Sequence, residues 1–220
     1  MFYTELEKIL FAIREEKFAS FSKTLSNSDY ISIGVKNPVL RKIIKEHIKD
    51  NELKLEDFDL GKYLEIDFIY YGLALSRLKT IDEQLDFLKE NIKYAKSWVI
   101  TDTLSSYLKK CSFDKYWQLF LSLYKSEYTY DKRLAYVFGL KYYKDERILE
   151  ILKYINLNEE YMVMMSEAWL LATIAIMFPD TVFDFLKNMN DLSLKRKTIS
   201  KICDSYRFDE NVKDKFKTLR

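Results

Sequence analysis

Glycine and proline are scarce, with 4 and 2 copies in 220 residues. Sheet-rich folds need more turn formers than that, so the scarcity favours an all-α chain with short connections. The one histidine, His47, sits among charges in "IIKEHIKD" and reads as a surface helix position. A Ser–His–Asp or Cys–His catalytic site is hard to build around it. Cys111 and Cys203 provide neither zinc spacing nor a secreted disulfide framework. A reducing, cytoplasmic setting is therefore expected. The start "MFYTELEKIL" has no signal-peptide pattern, and no run approaches the ~18 apolar residues of a membrane span. A glycine-rich phosphate loop and a metal-ligand cluster are both missing, so no cofactor and no metal are expected. Net charge is only +2, from 36 basic and 34 acidic residues. That is not the overall charge of a strongly basic nucleic-acid binder; a basic surface must come from local clustering.

What is present is helical periodicity, nearly throughout. Charged residues are 32% and apolar residues 48%, the balance of a globular protein. Aromatics reach 16%, and many must be core. The pattern predicts helices at about 3–19, 38–50, 55–60, 62–78, 82–93, 98–110, 113–126, 130–142, 145–155 and 159–178, one opening at 179, and two more at 192–204 and 208–218. Asn37 before Pro38, Asp82 and Ser97 are the expected N-caps, and Pro179 is expected in a helix's first turn. No linker rich in Pro, Gly or Ser divides the chain, so a single domain over residues 1–220 is expected. A compact bundle and a stack of helix pairs both fit.

A few residues stand out for chemistry. In "KSWVITDTLSSYLKK" an apolar stripe runs through Ile100, Leu104, Tyr107 and Cys111. Trp98, Asp102, Ser105 and Lys109 share the other side. Trp98 and Asp102 are one turn apart and so are neighbours. In "YTYDKRLAYVFGLKYY", Tyr130 and Arg133 lie together, away from Leu134, Val137 and Phe138. Trp169 lies in the apolar run "MMSEAWLLATIAIMF". Each has a bland alternative: packing for the tryptophans, a lysine partner for Asp102, a solvated helix start for Arg133.

The chain resembles the bacterial DNA alkylation repair proteins built from HEAT-like repeats, the AlkD-type 3-methyladenine DNA glycosylases. The resemblance rests on the order and spacing of "GVKNPVLRKIIKE", "SWVITD", "YDKRLAYVFGL" and "EAWLLA", and it covers nearly the whole chain. It implies stacked antiparallel helix pairs, an α-solenoid with a concave DNA-binding cleft. It implies Asp102 as the catalytic carboxylate, with Trp98 and Trp169 as aromatic walls beside the lesion. Arg133 would meet the backbone near the lesion. Phosphate contacts would come from Lys36, Lys132, Lys195, Arg196, Lys197 and Lys201. The sequence departs from the family pattern at Leu25 and Lys36, where an aromatic (Tyr30 is close by) and a glutamine are usual, and in "MMSEAWLLA".

The implied activity is excision of positively charged alkylated purines, 3-methyladenine and 7-methylguanine, from duplex DNA in base excision repair. The partner is alkylated double-stranded DNA, with no membrane involved. A monomer is expected, nucleoid-associated when on DNA. Two alternatives use the same scaffold: a non-catalytic DNA-binding protein, and a helical-repeat module for protein interactions.

Overall fold

The computed structural model describes residues 2–26, 28–49, 53–155 and 160–220. Among them the architecture is all-α, with twelve α-helices, four 3-10 segments and no strand. The one isolated bridge is parallel, between Ile31 and Tyr63. The chain divides into two compact units, Met1–Lys110 and Cys111–Arg220.

In the first unit, α1 (Phe2–Ala12), α2 (Glu16–Ser26) and α3 (Asn37–His47) precede α4 (Leu64–Arg77). Then come α5 (Ile81–Asn91) and α6 (Trp98–Tyr107). Short 3-10 turns cover Leu55–Asp57 and Ile92–Tyr94. The centre is α4, which packs on α3 and α6. Its side chains from Leu64 to Ile69 and Tyr71 to Leu75 are all buried, including Glu65 and Asp67. Gly72 lets α3 come close, since a Cβ there would lie 2.4 Å from Ile44 Cδ1.

In the second unit, α7 (Phe113–Tyr124), α8 (Thr129–Gly139) and α9 (Tyr161–Ile174) are followed by α10 (Pro179–Lys187). The last two are α11 (Leu192–Asp204) and α12 (Glu210–Lys217). Segments Leu140–Tyr142 and Glu146–Tyr154 are 3-10 helix. Here α9 is central, packed on α8, α10 and α11. Tyr116 and Tyr142 stack with ring centroids 4.4 Å apart; Phe138 packs edge-on against both, and Phe120 packs tilted against Tyr116.

Several local expectations are corrected. The helix expected over residues 3–19 is two, broken at Ile13–Glu15. The cause is tertiary: the Glu15 amide donates to Gly34 O at 3.0 Å. Asn37 is not the N-cap of α3. Lys36 is, and its carbonyl accepts from the amides of Val39 and Leu40. Thr80, not Asp82, caps α5. Its hydroxyl accepts from Glu83 N while Glu83 Oε2 accepts from Thr80 N, a reciprocal capping box. The helix expected over 145–155 is 3-10 rather than α. Glu159, expected to open α9, lies outside the described residues. Ser97 caps α6 as expected, accepting from Val99 N. The helix stops at Tyr107, so Lys109 and Cys111 do not continue its faces.

Candidate functional site

The N-cap Ser97 is fully buried, which anchors the first turn of α6. Trp98, the next residue, is half-buried. It lines a cleft of about 160 Å³ with Phe18 and Phe21 of α2, Leu40 of α3 and Phe68 of α4. Val35 of the loop before α3, Asn37 at the start of α3, and Leu64 and Glu65 at the start of α4 also line it. Asp102 follows one helical turn after Trp98 and is half-buried, not sealed in the interior. Ser105 does not extend this face, because it is 4% exposed. Lys109 turns instead to backbone, its Nζ donating to Leu78 O at 3.2 Å.

Sequence reasoning passed over the residues that build this cleft. Phe18 and Phe21 read as ordinary apolar positions of a helix, yet Phe21 is 58% exposed. Glu65 is 2% exposed. Its Oε1 accepts from Ser32 Oγ at 2.9 Å, Gly34 N at 2.8 Å and Val35 N at 3.3 Å, and its Oε2 from Ile33 N at 2.8 Å. One carboxylate thus ties down the whole loop before α3. Gly34 sits there at φ +102°, a left-handed conformation that favours glycine. The available signal was two acids inside the apolar run "YLEIDFIYYGLAL".

The second of those acids, Asp67, is 1% exposed. It accepts from Tyr30 Oη at 2.6 Å and from Gly61 N at 3.0 Å. Burial raises its carboxyl above the usual carboxylate range, against the pull of those two bonds. Burial, then the charge of Asp67, pushes the Tyr30 phenol far up as well. Tyr30 is therefore a buried strut and not a wall of the cleft. The Leu25 side chain lies outside the described residues. Lys36 is exposed, with its Nζ 2.8 Å from the Glu15 carboxylate.

In the second unit, Arg133 is 6% exposed. Its Nη1 donates to Met162 O at 2.9 Å, so it bridges α8 to the first turn of α9. Tyr130 is its neighbour, as the spacing predicts: burial raises the Tyr130 phenol and the Arg133 charge opposes that rise. Lys132 and Lys195 are half-buried, and Arg196 and Lys197 are exposed. Trp169 is 39% exposed. It lines a second cleft, of about 360 Å³, with Thr173, Lys201, Asp204, Ser205 and Arg207. Among the described residues, no group of acids, histidines and cysteines has a metal-holding arrangement, and no helix is long and apolar enough to cross a membrane.

The fold is similar to that of a solved structure, a predicted DNA alkylation repair enzyme from Enterococcus faecalis. The TM-score is 0.69 at 15% identity, over 87% of this chain and 98% of that one. No curated protein matches the chain. A model of the family described as DNA alkylation repair enzymes matches residues 4–202. That span takes in the Trp98 cleft, Asp102, Arg133 and Trp169. The chain belongs to the DNA alkylation repair enzyme family.

Proposed function

We propose that the protein is a DNA glycosylase that removes purines alkylated at N3 or N7 from duplex DNA, acting as a monomer and leaving an abasic site. The observation that carries this reading is the placement of Trp98 and Asp102 on α6. The indole lines an aromatic cleft, and a half-buried carboxylate follows one turn later.

The chemistry needs few groups. An N3- or N7-alkylated purine carries a formal positive charge. It leaves as a neutral base, taking the electron pair of the C1′–N bond, so no general acid is required. The deoxyribose becomes cationic. Asp102 would stabilise that charge and take the proton of the water that adds at C1′. Indole and phenyl faces attract cations by about 0.5–2 kcal/mol each, which favours a charged lesion over a neutral base. Trp169 would act as a further aromatic wall. Lys36, Lys132, Lys195, Arg196 and Lys197 would meet phosphates. A guanidinium has five N–H donors, and Arg133 would contact the backbone in addition to its bond to Met162.

The test is release of 3-methyladenine or 7-methylguanine from methylated duplex DNA, in single turnover, by wild type and Asp102→Asn. A rate lower by roughly 10²–10³ in the variant is expected, with duplex affinity unchanged. Equal release by both proteins removes Asp102 from the mechanism. No release by wild type, with duplex binding retained, leaves a non-catalytic DNA binder.

A further inference from the structure

Two polar side chains of the Trp98 cleft make no hydrogen bond to the protein. Most of the lining is apolar, with Phe68 at 1% exposure. Phe18 and Phe21 line it with ring centroids 6.4 Å apart and planes tilted by 40°. Apart from the Trp98 indole, its polar side chains are Ser22, Asn37 and Glu65. Glu65 is already committed. Its oxygens accept from Ser32 Oγ and from the amides of Ile33, Gly34 and Val35. Four donors and no acceptor make the group a carboxylate with its lone pairs in use. It gives the wall a negative charge but no open hydrogen-bonding edge. Asn37 is the reverse case. Lys36 takes the N-cap place that asparagine favours, and Asn37 comes first in α3. Its carboxamide is therefore not spent on the amides of the helix. Among the described residues, neither that carboxamide nor the Ser22 hydroxyl has a hydrogen-bond partner.

Rings and a negative charge favour any cationic purine, and a serine hydroxyl pairs with adenine or guanine alike. A carboxamide is more selective. Its Oδ1 accepts from the N6 amino group of adenine while its Nδ2 donates to N7, side by side. Guanine presents two acceptors on that edge, O6 and N7, a pattern that suits arginine or lysine. No described residue lining the cleft is a cation. Methylation at N7 also removes one of guanine's two acceptors, whereas methylation at N3 leaves the N6/N7 edge of adenine intact. We propose that Asn37 is a specificity-determining residue: its carboxamide reads the N6/N7 edge of a purine held in the Trp98 cleft and makes the protein prefer N3-alkylated adenine to N7-alkylated guanine. The inference rests on the reading of this cleft as the place of the lesion. It does not rest on base excision.

The probes are the free cations 3,9-dimethyladeninium and 7,9-dimethylguaninium, titrated into the protein by calorimetry at mildly acidic pH, where both are cations. Wild type should bind the adeninium more tightly by roughly 5-fold or more, the lower end of what one bidentate pair discriminates. Two variants remove the pair: Asn37→Ala, and Asn37→Leu, which keeps the bulk of the side chain without its hydrogen bonds. Each should bind the two cations within about 2-fold of one another. Circular dichroism checks that both are folded. Release of 3-methyladenine and 7-methylguanine from methylated duplex DNA is measured in parallel. Equal affinities in wild type, or the wild-type gap in either folded variant, overturn the role of Asn37; continued base release then leaves the glycosylase reading standing. A gap that closes in the variants of a protein releasing neither base supports Asn37 and sinks the glycosylase. Binding of neither cation by wild type overturns the role of Asn37, whatever is released.

Discussion

Glu65 Oε1 accepts the amide hydrogen of Gly34 at 2.8 Å, across 31 residues of chain. The block "GVKNP", which helps carry the family resemblance, is thus a structural device before it is a chemical one. Gly34 supplies the left-handed turn. Val35 and Asn37 then face the Trp98 cleft, and Lys36 opens α3.

Gly34→Ala should be strongly destabilising. A Cβ there would lie 2.5 Å from Glu15 O and 2.9 Å from Ala19 Cβ, and alanine disfavours φ +102°. Backbone strain and overpacking each cost about 1–3 kcal/mol. A loss of about 3 kcal/mol is expected, or a fall in Tm of roughly 10 °C for a chain of this length. Thermal unfolding checks it, and a Tm within 2 °C of wild type would show that α2 can move away.

Phe21 lines the cleft without belonging to the core. At 58% exposure, Phe21→Ala should change stability by less than about 0.5 kcal/mol. If the Trp98 cleft receives the lesion, the variant should release alkylated base roughly 3- to 30-fold more slowly, the loss of one cation-attracting ring. Paired melting curves and single-turnover assays measure both. Full activity would take Phe21 out of the site.

Asp67 gives stability a pH dependence of known sign. Its carboxyl is raised in the fold, chiefly by burial. An acid so raised adds stability below its unfolded pKa, about 3.9, and loses it as pH climbs through the folded value. Asparagine has no such titration. The stability of wild type minus that of Asp67→Asn should therefore shrink as pH rises from about 4. Urea denaturation at a series of pH values tests this, and a gap that widens with pH would reverse the assignment.

Thr80→Ala probes the first unit away from the cleft. It removes the hydroxyl of the capping box at α5, so a loss of about 1 kcal/mol is expected with base release unchanged. A slower release at equal occupancy would mean that α5 bears on the site.

How much of this was legible depended on how local each feature is. Ser97, Pro179 and the bounds of α11 were readable because caps and proline act within a turn. The break between α1 and α2 was not, because Ile13, Arg14 and Glu15 are unexceptional helix residues. At the break, Glu15 N pairs with the distant Gly34 O. Trp98 and Asp102 were visible as a spacing on one helix. Phe18 and Phe21 were hidden, since an exposed wall and a core position have the same sequence pattern. Glu65 and Asp67 were hidden by their apolar neighbours, and all of their partners but Gly61 lie thirty or more residues away, in the loop at 30–35.

The amides of Ile33, Gly34 and Val35 have given their hydrogens to a side chain on a remote helix rather than to a ladder of their own. Such protons exchange with solvent only when α4 and the loop part company. This stretch, irregular in outline, should thus keep its deuterium-exchange protection as long as the core of the first unit does. Any ligand entering the Trp98 cleft would meet a wall already set, with no ordering of the loop left to be done on binding.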